Sequence, residues 1–164
     1  MSIQSLTIRN AFPEDHRQII EVIPNWLGDR ALRAAVSKLF LIHFSDTCFL
    51  AEKSGRLAGF LIGFLSQTQP DEAYIHFVGV DPDSRMKGTA RMLYRDFYNV
   101  CRNHSRTIVR SSIALENKVS IDFHFKMGFE MEPGDREIDG FQVTENYLYQ
   151  KDQLVLFKKE LTPA

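Results

Sequence analysis

The sequence predicts an α/β domain, and three observations carry that expectation. Residues 73–80 form an apolar and aromatic run closed by Pro82, and beyond Gly88 apolar residues recur at Ala90, Leu93, Tyr94, Phe97 and Cys101. Strand therefore gives way to helix across a short loop. Strand-like and helix-like segments also alternate along the whole chain, in the order β-α-α-β-β-β-α-β-α-β-β. Finally, 164 residues with 44% hydrophobic and 25% charged content are enough for one globular domain with a sizeable core. No repeat, low-complexity tract or linker divides residues 1–164, so a single domain is expected.

The elements follow in order. Residues 5–10 alternate as a half-buried strand does. Pro13, Glu14 and Asp15 open a helix whose apolar face is Ile19, Ile20, Val22 and Ile23, and Pro24 is expected to stop it. Residues 25–30 then read as a loop. Leu32, Ala35, Val36, Leu39, Phe40 and His43 line one side of a second helix. Residues 47–53 and 56–65 read as strands joined by the turn Ser54-Gly55, a hairpin. After a loop over 67–71 comes the central strand, 73–80. A long helix over 88–103, a β-branched strand over 107–114, a helix over 117–127 and a strand over 129–132 follow. Pro133-Gly134-Asp135 and Asp139-Gly140 mark a long polar connection through 152, and residues 154–157 form the last strand.

Composition excludes several classes. A net charge of −1 provides no electrostatic footprint for nucleic acid or an anionic membrane. The longest apolar run, 60–65, is too short to span a bilayer, and no secretory signal is visible at the N-terminus. Cys48 and Cys101 have no metal or redox spacing, and reduced thiols in a cytoplasm are the simpler reading. The histidines show no metal-ligand spacing, so no metal is expected.

The strand–loop–helix junction is the most informative stretch. A helix N-terminus leaves backbone N–H groups unpaired and carries partial positive charge, which suits a phosphate. Gly88 lets a ligand approach the backbone, and Arg85 and Lys87 add charge. Arg85-x-x-Gly88-x-Ala90, after the strand end Val78-Gly79-Val80-Asp81-Pro82, resembles the pyrophosphate-binding motif of the GNAT superfamily, the Gcn5-related N-acetyltransferases. A second stretch, Asn117-x-x-Ser120-x-x-Phe123-His124-x-x-Met127-Gly128-Phe129, is similar to the helix and Gly-Phe strand start that follow in that family.

The resemblance implies a mixed, mostly antiparallel sheet of six to seven strands. It also implies helices on both faces and a central strand splayed from its neighbour. It implies acetyl-CoA as cosubstrate and transfer of acetyl to a primary amine of a small molecule or peptide. The coenzyme contacts it implies are Val78, Gly79, Val80, Arg85, Met86, Lys87, Gly88, Thr89, Ala90, Asn117 and Ser120. Family members often pair through their C-terminal strands, so a homodimer is an expectation. A non-catalytic acyl-CoA-binding module with the same fold is the alternative.

The chemistry requires a base, because a protonated amine has no lone pair. His76 has a suitable ordinary pKa and shares a strand face with Val78 and Val80. It is either that base or a hydrogen-bonded core histidine. Glu72 and Tyr74 are weaker candidates. His124 stands four residues before Gly128, where many family members carry a tyrosine that protonates the leaving thiolate. It is either a donor or cofactor contact, or a surface histidine. Phe125 beside it cannot donate. Trp26, Asp29 and Arg30 are either the edge of the core with a helix cap, or the wall of the acceptor pocket, where an aromatic face and an acid suit an amine.

Overall fold

The computed structural model describes residues 5–163, the side chains of Arg30 and Ala31 excepted. These form strands β1 (Leu6–Asn10), β2 (Phe49–Lys53), β3 (Arg56–Leu65), β4 (Glu72–Val80), β5 (Ile108–Ala114), β6 (Glu130–Met131), β7 (Arg136–Ile138), β8 (Phe141–Glu145) and β9 (Gln153–Glu160). The α-helices are α1 (His16–Leu27), α2 (Lys38–His43), α3 (Thr89–Asn103) and α4 (Lys118–Lys126). The chain folds as two compact units, Met1–Leu65 with Ile75–Ser105, and Ser66–Tyr74 with Arg106–Ala164.

In the first unit the strand order is β1-β2-β3-β4, with β1–β2 and β2–β3 antiparallel. Its core gathers Ile19, Ile23, Val36, Leu41, Leu50 and Phe60, with Trp26, Phe40 and Phe77 packed against it. The β1–α1 junction is fixed by Arg9, whose Nη1 and Nη2 fork onto the Asp15 carboxylate at 2.8 Å each while Nη2 also reaches Glu52 at 2.9 Å. That guanidinium, with the Phe12 N–H, holds the Asp15 carboxyl below its usual range.

Pro24 does not stop the first helix. It lies inside α1, which runs on through Asn25, Trp26 and Leu27. A proline cannot donate to the carbonyl four residues back, so Ile20 O is left open. The Arg33 Nε–H fills that place at 2.9 Å. The helix ends instead at Gly28, whose left-handed backbone (φ 76°) lets its N–H close on Pro24 O at 3.0 Å.

The second expected helix is broken in two. Arg30–Ala35 is a 3-10 segment. Ser37 then caps α2 by accepting the Leu39 N–H at 3.2 Å. The restart rotates the face, so Leu39, expected on the apolar side, is 55% exposed.

In the second unit the order is β5-β9-β8-β7, with β6 pairing β9 and the opening residues of β4 belonging here. β5 and β9 pair antiparallel from Ile108↔Glu160 to Ala114↔Leu154. The polar connection expected over 133–152 contains the hairpin β7–β8, which raises the strand count above the six to seven expected. Asp139 (φ 52°) and Gly140 (φ 82°) make its two-residue turn. Asp152 organises the next loop by accepting the N–H groups of Tyr147, Leu148 and Tyr149, each at 2.8 Å.

Cys48 and Cys101 are buried and in no disulfide, and burial pushes the Cys48 thiol up to about 11. Among the described residues, no helix is long and apolar enough to cross a membrane.

Candidate functional site

The loop after β4 has an unusual backbone. Asp81 N–H bonds Ala58 O at 3.0 Å and Ser84 N–H bonds Asp81 O at 2.8 Å, so the strand end is pinned. Met86 (φ 60°) and Gly88 (φ 84°) are both left-handed. The first helical bond of α3 is Met92 N–H to Gly88 O at 3.0 Å. Among the described residues, the backbone N–H groups from Met86 to Arg91 have no hydrogen-bond acceptor in the protein. Left-handed residues in such a loop turn consecutive amides to one side, and α3 adds its dipole. Such an arrangement can offer several donors to one anion.

The side chains around it are tethered. The Thr89 hydroxyl donates to Ser84 O at 3.2 Å, and Lys87 Nζ donates to Asp83 O at 2.7 Å. Arg85 donates from Nε to Val80 O at 3.3 Å and from Nη2 to Trp26 O at 2.5 Å. Its guanidinium therefore binds the loop to the last turn of α1. On the β3 side of this loop lies an open depression of about 510 Å³ whose lining includes Lys53, Arg56, Asp81, Asp83 and Lys87.

Gly79 is a site of close approach. A Cβ there would lie 2.5 Å from Phe60 Cε1. The space it leaves lets Phe60 stack between Trp26 (centroids 6.1 Å) and Phe77 (5.9 Å, planes 4° apart). Trp26 thus sits on the edge of the core. Asp29 is exposed, and the side chain of Arg30 is outside the described ones.

His76 is half-buried in β4. Its Nε2 donates to Ala35 O at 2.8 Å, and its ring stacks on Phe40 with centroids 4.9 Å apart. Among the described residues, Nδ1 has no hydrogen-bond partner. Sequence reading missed Ala35 and Phe40 as its neighbours, because both come from a segment about 40 residues earlier and their contact depends on how α1 ends.

The second unit holds the other candidates. Asn117 caps α4 through Oδ1, which accepts the Ser120 N–H at 3.1 Å. His124 is 2% exposed, not a surface residue. Its Nδ1 donates to Ser120 O at 2.7 Å, and its ring packs against Phe157 and Phe129 at 5.3 and 5.0 Å. Burial lowers its pKa below the usual histidine value. Phe125 is partly exposed. The weaker base candidates are both engaged. Glu72 pairs with Arg110 at 2.9 Å, which also meets Glu132, and the Tyr74 hydroxyl shares a 2.6 Å bond with Ser112 Oγ. No group of three His, Cys, Asp or Glu residues among the described ones is arranged to hold a metal ion.

Residues 7–129 match the family model for the acetyltransferase (GNAT) family, and the chain belongs to that family. The chain is 33% identical over 83 residues to an L-2,4-diaminobutyric acid acetyltransferase from Nocardia farcinica, a match covering 51% of this chain and 43% of the relative. The matched stretch is thus less than half of that relative's length. Among solved structures, Ard1 from Thermoplasma volcanium superposes with a TM-score of 0.77 at 21% identity, covering 96% of this chain and 98% of the other. Diaminobutyrate acetyltransferase EctA from Paenibacillus lautus, in complex with L-2,4-diaminobutyric acid and coenzyme A, superposes with a TM-score of 0.66 at 18% identity, covering 94% and 95%. At these identities the structural likenesses show the fold.

Proposed function

We propose that this chain is an acetyl-CoA-dependent N-acyltransferase that moves an acetyl group to a primary amine by direct attack on the thioester. The unpaired amides from Met86 to Arg91 carry this reading, because they offer a diphosphate several donors at a helix N-terminus. The family match spans parts of both compact units, which supports treating residues 1–164 as one GNAT domain. The curated relative named for L-2,4-diaminobutyric acid favours a small-molecule amine, with a peptide amine next.

On this reading Met86, Lys87, Gly88, Thr89 and Ala90 hold the diphosphate through backbone N–H groups, with Arg85 and Lys87 adding charge. Val78, Gly79 and Val80 pair with the acyl arm, and Asn117 and Ser120 contact it. Trp26 and Asp29 contact the acceptor, and Arg30 is assigned to it from the sequence. His76 takes the amine proton on Nδ1, since Nε2 is committed to Ala35 O. The amine nitrogen bonds to the thioester carbon, the carbon–sulfur bond breaks, and the thiolate takes a proton from solvent. His124, buried among phenylalanines, takes a packing part rather than that of donor. We place the protein in the cytoplasm as a homodimer.

The test is incubation with acetyl-CoA and a panel of amines that includes L-2,4-diaminobutyric acid and short peptides, with acetylated products read by mass spectrometry. Product from at least one amine supports an enzyme. Calorimetric binding of acetyl-CoA with no product from any amine favours the second reading, a non-catalytic acyl-CoA-binding module. His124, which stands where many family members carry a tyrosine donor, is what keeps that reading in play. Absence of binding removes both.

A further inference from the structure

Four hydrogen bonds converge on the backbone between α1 and α2. His16, the first residue of α1, donates from Nε2 to Val36 O at 2.8 Å, and His76 donates from Nε2 to the adjacent Ala35 O at the same distance. Arg33 Nε donates to Ile20 O at 2.9 Å, and Val36 N–H closes a turn onto Arg33 O at 3.2 Å. Phe40, in the helix that Ser37 caps, covers the His76 ring. Nothing in the acetyl-transfer reading uses His16 or Arg33.

A carbonyl accepts and never donates, so each ring nitrogen in these bonds carries its hydrogen. For His76 this selects the Nε2–H tautomer and leaves Nδ1 as the nitrogen that gains or loses a proton. The imidazolium also has Nε2–H, so the bond to Ala35 O survives a full proton cycle. Where Ala35 O lies is decided by its neighbours. Val36 is held by His16, and Arg33 is held by α1 because Pro24 leaves Ile20 O without a helical donor.

Resting on the reading of His76 as the base, we propose that His16 and Arg33 are positioning residues. They dock residues 33–36 on α1, so that Ala35 O orients the His76 imidazole with Nδ1 toward the proton it removes. Pro24, in a place where it would ordinarily end a helix, opens the acceptor that makes the docking possible.

Nitrogen-15 NMR of the full chain, together with kinetics, tests this. In the natural sequence His76 shows the Nε2–H tautomer. His16→Ala and Arg33→Leu move His76 toward a mixture of tautomers and lower kcat by about tenfold, as a small misplacement of a reacting group does, with KM for acetyl-CoA unchanged. His16→Gln, which supplies an amide donor, restores both readouts. Pro24→Ala gives Ile20 O a local helical donor and weakens the Arg33 bond, a milder form of the same loss that leaves His16 in place. An unchanged His76 tautomer in both His16→Ala and Arg33→Leu overturns the proposal, as does a fall in kcat that His16→Gln does not rescue. If the tautomer shifts but His76→Ala turns over normally, the base assignment falls while the docking clamp stands.

Discussion

The Arg85 guanidinium donates to the backbone oxygen of Trp26 at 2.5 Å, tying the loop after β4 to the last turn of α1. The arginine of the phosphate motif therefore shapes the loop as well as charging it. Arg85→Ala is expected to raise KM for acetyl-CoA by about tenfold, the size of one charge-assisted hydrogen bond. Trp26 is the only tryptophan, so its fluorescence reports the tether directly. Acetyl-CoA is expected to change that emission in the natural protein and to change it less in the variant.

Gly88 separates backbone strain from crowding. A Cβ there meets nothing within 4 Å, yet φ is +84°. Gly88→Ala is expected to cost about 1–2 kcal/mol through the left-handed conformation alone. Relaxation of that strain tilts the amides that follow, so calorimetry is expected to show weaker acetyl-CoA binding alongside a lower denaturant midpoint.

Gly79 gives the opposite case. Its φ is not left-handed, but an added Cβ would overlap the Phe60 ring, 2.5 Å from Cε1. Gly79→Ala is expected to push Phe60 out of its stack between Trp26 and Phe77 and to cost about 1–3 kcal/mol. Thermal unfolding followed by Trp26 emission measures both the loss and the displaced ring.

His124 predicts a pH dependence. Burial holds its folded-state pKa below the ordinary 6.5. The unfolded chain then binds the extra proton more readily than the folded one. Its stabilising contribution is complete above pH ~6.5 and is lost as pH falls from there toward the lowered folded value. Urea midpoints are expected to decline through that window, and His124→Phe is expected to flatten the decline.

The legible parts of this chain were those written locally. The apolar run of β4, the helical spacing after Gly88 and the Asn117 cap each depend on residues within a turn or two, and each lies where its pattern puts it. The hidden parts were settled at a distance. Pro24 reads as a stop, and only Arg33, nine residues on, shows why α1 continues. The hairpin β7–β8 consists of short, half-exposed strands, so no apolar period announces it, although Asp139-Gly140 marks its turn. His124 sits on a short helix of mixed polarity, and nothing nearby in the chain shows that Phe157 will cover it. His76 lies in β4 as read, but its partners Ala35 and Phe40 come from a segment whose path α1 decides.

The two cysteines bear on how turnover can be watched. Both side chains are enclosed, and Cys48 is a poor thiolate at any pH in common use. A folded preparation should give aromatic disulfide reagents little to react with. Colour developing in an assay mixture would then count coenzyme released by acyl transfer, and a fast burst from the protein alone would report unfolded material.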